Sequence, residues 1–170
     1  MNNYKKKPFI PAIQKTSTLL ILSLIAMVAF IISLKSTTIV VSSSYNTKVE
    51  AASLMKESMN TLKSYRMESS VFIDDENDPN ETGLIGSPFS LITTDEGDLD
   101  AKLTTLDPNF SAGMVDLMVQ IGIEKNDTVA VLLTGSMPGG NIAVLTGLKA
   151  LGAYPVVITS VGASQWGANH

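Results

Sequence analysis

Thr128-Val-Ala-Val-Leu-Leu-Thr134 and Val156-Val-Ile-Thr-Ser160 are two short runs of aliphatic and β-branched residues, each followed at once by a small-residue loop. Continuous apolar runs of this length, bounded by turn residues, read as fully buried strands. Between them, residues 141–151 carry apolar side chains at helical spacing, so the whole stretch predicts β-loop-α-β with the two strands parallel. A right-handed crossover then brings both strand exits to the carboxyl edge of one sheet, where open α/β sheets hold their ligands. The expected fold class is therefore α/β: one amino-terminal transmembrane helix followed by an incomplete Rossmann-like parallel β-α-β domain.

Working outward to the amino terminus, residues 16–34 form a run of 19 uncharged residues dominated by Leu, Ile, Val, Ala, Met and Phe. A helix rising ~1.5 Å per residue over that run reaches about the ~30 Å of a bilayer's hydrocarbon core. Lys5, Lys6, Lys7 and Lys15 precede it and only Lys35 follows closely. The positive-inside rule accordingly leaves residues 1–15 as a cytoplasmic basic tail and sends everything after Lys35 outside the cell membrane. The competing reading is a cleaved signal peptide, but the apolar run is longer than usual for one, and Val41-Ser-Ser43 is a weak cleavage site. A buried core helix fits least, because the segment has no polar face.

Charge separates the two sides. Residues 1–35 hold five lysines and no acid, whereas residues 36–170 hold seven basic and sixteen acidic residues, a balance of −9. A domain this acidic does not gather nucleic acid by its mean field. There is no cysteine, which removes disulfides, thiol nucleophiles and Cys-ligated metals, and the single histidine is His170. A catalytic set or metal cluster that requires histidine is not completed by these residues, so no metal is assigned and no cofactor is specified.

Residues 36–82 read as a serine-rich exit, an amphipathic helix and an acidic linker. The helix is expected over residues 48–66, with Ala52, Met55, Met59 and Leu62 as its apolar stripe, packed on its own domain or, alternatively, on a membrane-proximal partner. Asp74-Asp-Glu-Asn-Asp-Pro-Asn-Glu81 lacks the spacing of a calcium loop and reads as solvated. Residues 83–170 form the extracytoplasmic α/β domain. Within it, residues 83–94 suggest a short strand or extended segment, residues 101–106 are ambiguous, and residues 110–121 a helix with Phe110, Met114, Leu117, Met118 and Ile121 as its stripe, ended by Gly122.

Gly135-Ser-Met-Pro-Gly-Gly-Asn141 has the small residues that let backbone N–H groups approach an anion before a helix start. It lacks Gly-Lys-Ser/Thr, and its glycine spacing is not the dinucleotide fingerprint. What it offers is a carboxylate or phosphate cradle of Gly135, Ser136, Gly139, Gly140 and Asn141, or a plain tight connection with an Asn helix cap. Ser160-Val-Gly-Ala-Ser-Gln-Trp-Gly-Ala-Asn169 adds Ser160, Ser164, Gln165 and Asn169 beside the only tryptophan, Trp166. That combination suits a polar ligand held against an aromatic wall, although Trp166 has the alternative of closing the core.

From about Gly83 to Asn169 the chain resembles the poly-gamma-glutamate system proteins of bacteria. The resemblance is carried by Gly83-Leu-Ile-Gly86, Thr93-Thr94 with Gly97 and Lys102, Pro108-Asn-Phe110, Gly135-Ser-Met-Pro-Gly139 with Asn141, and above all the string from Ser160 to Asn169. It implies a membrane-anchored component of a system that makes, exports or processes poly-gamma-glutamate at the cell surface, here as an amino-terminal fragment. Its partners would be the membrane, a glutamyl ligand and other proteins of the same system. Three functions follow as expectations: binding of a carboxylate-bearing ligand at the two loops; hydrolysis or transfer at gamma-glutamyl bonds, with Ser136 or Ser164 as nucleophile and a base from beyond His170; and anchoring of a synthase or exporter.

Overall fold

The computed structural model describes residues 11–69 and 73–169. They fall into two compact units divided between Val41 and Ser42, each described by itself. The first holds a 3-10 turn, Ala12–Gln14, and helix α1, Thr16–Lys35. At 20 residues and a mean hydropathy of 2.6, α1 is long and apolar enough to cross a membrane, a property that a signal sequence shares.

In the second unit the order is α2 (Tyr45–Glu68), α3 (Leu99–Thr104), α4 (Asn109–Gln120), β1 (Thr128–Leu133), α5 (Pro138–Leu151) and β2 (Tyr154–Thr159). The strands are parallel and in register from Thr128 opposite Tyr154 to Leu133 opposite Thr159. The fold is thus mixed α/β, with one β-α-β unit and a two-stranded parallel sheet among the described residues.

Both helices that lead into a strand close in the same way. Gly122 and Gly152 adopt left-handed φ of 83° and 73°. Behind them the Ile123 amide donates to the Met118 carbonyl and the Ala153 amide to the Leu148 carbonyl. These are the bonds that satisfy the last free carbonyls of a helix, and only glycine enters that φ region without a Cβ penalty. Ile123 and Ala153 then join Met118, Val131 and Leu148 in one apolar cluster that fastens α4 and α5 to β1. A second cluster, Met55, Met59, Ile85, Leu106 and Ala143, joins α2 to the other side of α5, with Met114 packed against both.

Four expectations are corrected. The strands are not fully buried: only Val131 of β1 is, every β2 residue is exposed, and Leu132 and Ile158 stand 79% and 68% open. Helices cover the side of β1 that carries Val129, Val131 and Leu133, and a run of apolar residues does not encode how many layers lie over it. Residues 83–94 carry a single parallel bridge, Thr93 to Ala163, and no strand, which leaves the extended-segment alternative of the two expected. The stripe of α2 is Ala51, Met55 and Met59, because i, i+4, i+8 faces α5 and α4, which leaves Leu62 exposed. On α4 the buried residues are Ser111, Val115 and Met118, with Leu117 and Ile121 exposed. Met55 and Met59 lie in this core, so they are not available to a membrane-proximal partner.

The acidic linker is largely solvated, as expected, except at Asp78. Asp78 is 1% exposed, its carboxylate accepting from Thr82 Oγ1 (3.0 Å) and the Gly83 amide (2.7 Å). Arg66 meanwhile donates to the Gly83 and Ile85 carbonyls (2.8 and 3.1 Å) and fastens the end of α2 to the same turn.

Candidate functional site

Both strand exits lie at one edge and touch. The Ala168 amide donates to the Gly135 carbonyl (2.7 Å), and the Ser164 amide donates to Ser136 Oγ (3.0 Å). Gly135 eases this approach: a Cβ there would lie 3.0 Å from Ala163 Cβ and 3.1 Å from the Gly162 carbonyl, close enough that the second loop would have to give by a few tenths of an ångström.

A third segment, residues 87–102, completes the edge. The Thr94 amide donates to Ala163, Ala163 to Ile92, and Gln165 to Asp95. Asp98 then caps α3 by accepting from the Ala101 amide (3.0 Å), the role for which a carboxylate at a helix start is suited. One turn into α3, Lys102 extends into the junction of the loops, where its Nζ donates to the Ser136 carbonyl and to Ser164 Oγ (2.9 Å). Lys102 is only 2% exposed. Burial pulls its pKa below the ordinary lysine value, and the nearby Asp98 carboxylate partly opposes that. It is the only basic residue between Lys63–Arg66 and Lys125, and therefore the only cation on the three segments that build the edge.

The predicted site residues divide into two groups. Ser136 and Ser164 come together around Lys102, and Gly135 beside Ser136 accepts from the Ala168 amide. Most of the others are engaged by the scaffold, and Gly140 and the Ser160 side chain are not. Asn141 Nδ2 donates to the Thr134 carbonyl (2.7 Å), holding the first loop. Asn141 is not the cap of α5, which begins at Pro138 and takes Gly139 and Gly140 into its first turn. Gly139 is buried against Thr105 just past α3, whereas Gly140 has open space apart from Met137. Gln165 Oε1 accepts from the Gly97 amide (3.2 Å). Asn169, fully buried, donates from Nδ2 to the Ser87 carbonyl (2.7 Å) and Thr93 Oγ1 (3.1 Å). Ser160 stays exposed, with a long contact to Gly162 (3.4 Å). Trp166 takes a left-handed φ of 63° and packs against the Met55 cluster, which is the core-closing alternative.

Chemically, the edge holds a hydroxyl, a buried amine and the amino end of a 14-residue helix whose first residues have no side-chain cap. The positive end of that helix favours negative charge. Among the described residues no three His, Cys, Asp or Glu side chains come together in a group suited to a metal ion. Lys102 is what a reading of the loops alone misses; Asp98 as a cap followed by a lone basic residue was the available signal. Set beside protein-family models, curated proteins and solved structures, the chain finds no match.

Proposed function

We propose that this chain is a membrane-anchored, extracytoplasmic component of a poly-gamma-glutamate system, which binds a carboxylate-bearing ligand at the edge shared by its two strand exits. The observation that carries the reading is Lys102, the only cation of that edge, fixed between Ser136 and Ser164. In an outer segment with sixteen acidic residues against seven basic ones, an anion is drawn by local positive charge rather than by the mean field. Lys102 and the amino end of α5 supply that charge from two sides of the first loop. Residues 83–169 that resemble the polyglutamate family contain this edge, and a polymer of glutamyl units presents one free carboxylate per residue.

For the anchor, α1 spans the membrane and Lys15 with the lysines before it stays on the cytoplasmic side. A protease added outside intact cells should cleave the domain and leave the basic tail; protection of the domain would reverse the topology. For the ligand, calorimetry of the full chain in detergent against short gamma-glutamate oligomers should show binding that weakens at least ~10-fold in Lys102→Met. Unchanged affinity in a folded Lys102→Met would end the carboxylate assignment.

A further inference from the structure

We infer that Ser164 and Lys102 form a nucleophile–base pair for acyl transfer, with an amide or ester carbonyl as substrate. The inference goes beyond ligand binding and does not depend on the identity of the polymer. Lys102 Nζ lies 2.9 Å from Ser164 Oγ, within reach for direct proton transfer, and the two residues are 62 positions apart in sequence, so the contact belongs to the fold and not to local chain geometry.

Three features distinguish the pair from a surface lysine resting on a serine. Lys102 as a residue is 2% exposed, and burial favours the neutral amine relative to a free lysine. Its direction is fixed by a second acceptor, the Ser136 carbonyl, which holds Nζ at the loop junction. The serine is fixed too: its amide donates to Ser136 Oγ, and the neighbouring Gln165 is tied through its amide to Asp95 and through Oε1 to the Gly97 amide. Ser136 is thus a positioning residue for both partners. Gly97 fits the same frame, because a Cβ there would collide with the Gln165 carbonyl. Serine–lysine pairs are one of the arrangements in which a base other than histidine activates a hydroxyl. This removes the need for a base from beyond His170.

The ammonium of Lys102 donates to Ser164 Oγ at rest; after loss of one proton to solvent the contact reverses, and the amine accepts from the Ser164 hydroxyl. Oγ then bonds to the substrate carbonyl carbon while its proton moves to Lys102 Nζ. The bond from carbon to the leaving nitrogen or oxygen breaks as Lys102 returns that proton to the leaving group. Water, deprotonated by the same amine, attacks the acyl-serine and restores Ser164, or an acceptor amine does so in transfer.

The experiment uses the full chain in detergent and an alkyl fluorophosphonate, which forms an Oγ–P bond with loss of fluoride. The expected result is covalent labelling at Ser164, located by peptide mass spectrometry. Its rate should rise with pH as Lys102 loses its proton, be lost in Ser164→Ala, and fall ~100-fold or more in Lys102→Met, the size of a general-base contribution. The pH profile and the site of labelling are read on the unaltered chain, so misfolding of a variant does not decide the outcome. Absence of label at Ser164 across pH 6–10, or a pH-independent rate there, overturns the inference. So does an equal rate in Lys102→Met that retains its circular dichroism. Oligomer binding that persists without labelling would leave the ligand reading intact and refute only the catalysis; labelling without oligomer binding would do the opposite.

Discussion

The two glycines at the start of α5 separate a structural requirement from a ligand requirement. If Gly135-Ser-Met-Pro-Gly-Gly-Asn141 were purely an anion cradle, Gly139 and Gly140 would be equivalent and alanine at either would leave stability alone. The structure makes them opposite. A Cβ at Gly139 would sit 2.6 Å from both the carbonyl and Oγ1 of Thr105, and at neither position can backbone or buried side chain yield cheaply. Thr105 is itself tied back to α3, its Oγ1 donating to the Lys102 carbonyl (2.8 Å), so the strain reaches the element that carries the amine. Overpacking of this kind costs about 1–3 kcal/mol. At Gly140 the nearest atom to a Cβ is Met137 Cβ at 3.6 Å, an ordinary contact, and alanine in a helix restricts the unfolded chain, gaining about 0.4–1 kcal/mol. The two substitutions should therefore differ by about 1.5–4 kcal/mol in opposite directions from the parent. At roughly 3–5 °C per kcal/mol for a unit of this size, they separate by ~5 °C or more in a thermal melt of the detergent-solubilised chain. Equal shifts of the same sign, or a neutral Gly139→Ala, would refute the packing of α5 against α3.

Asp98→Ala removes the cap of α3 and should cost about 0.5–2 kcal/mol in denaturant unfolding, with the fluorophosphonate reaction at Ser164 slowed because Lys102 loses its register; a variant as stable as the parent would place the cap's energy elsewhere. Asp78→Ala leaves the Gly83 amide and Thr82 hydroxyl without their buried acceptor and should cost about 1.5–3 kcal/mol in the same assay, whereas an effect under half of the lower figure would mean that the turn re-forms around water. Because the folded pKa of Lys102 lies below its unfolded value near 10.5, the unfolded chain binds more protons between the two, and stability gains a contribution as pH rises through that window. Lys102→Met should remove that contribution, seen as a flatter alkaline stability profile; an unchanged slope would show that the amine is solvated.

The β-loop-α-β order was legible because it rests on short-range period and punctuation. Two apolar runs, a helical spacing and left-handed glycines at 122 and 152 are all local features, and each is where the structure needs it. What the chain does not announce is which of several equivalent faces meets a neighbour. Ala51 and Ala52 are adjacent and alike, and Met55 and Met59 belong to either stripe; it is the tertiary packing of α2 that buries Ala51 and leaves Leu62 exposed. Burial of the strands failed for a related reason: Val156 to Ile158 are apolar enough for a doubly covered sheet, but cover is a property of neighbours. The site divides in the same manner. That the two loops meet followed from parallel strands, while Lys102 reaches Ser136 and Ser164 across 34 and 62 residues, distances over which no periodicity operates.

That division changes how the polar residues of the two loops are understood. Gln165, Asn141 and Asn169 have the side chains of ligand contacts, yet each makes its hydrogen bonds to the Gly97 amide, the Thr134 carbonyl, or Ser87 and Thr93. For the fully buried Asn169, release to a ligand would leave the Ser87 carbonyl without that donor, at about 1–3 kcal/mol, whereas Asn141 and Gln165 are part-exposed and are held by their bonds to the loops rather than by burial. These residues thus act by keeping three distant segments at one edge, and their substitution should alter Ser164 through geometry. Lys102 differs in kind, because both of its contacts are to the loops that converge there and its charge is matched by no carboxylate within ion-pair distance among the described residues. A charge buried without such a pair is costly to the fold, and that cost is offset if the amine can give up its proton. Chemistry at this edge therefore belongs to the lysine and the hydroxyl beside it, and the amides belong to the frame.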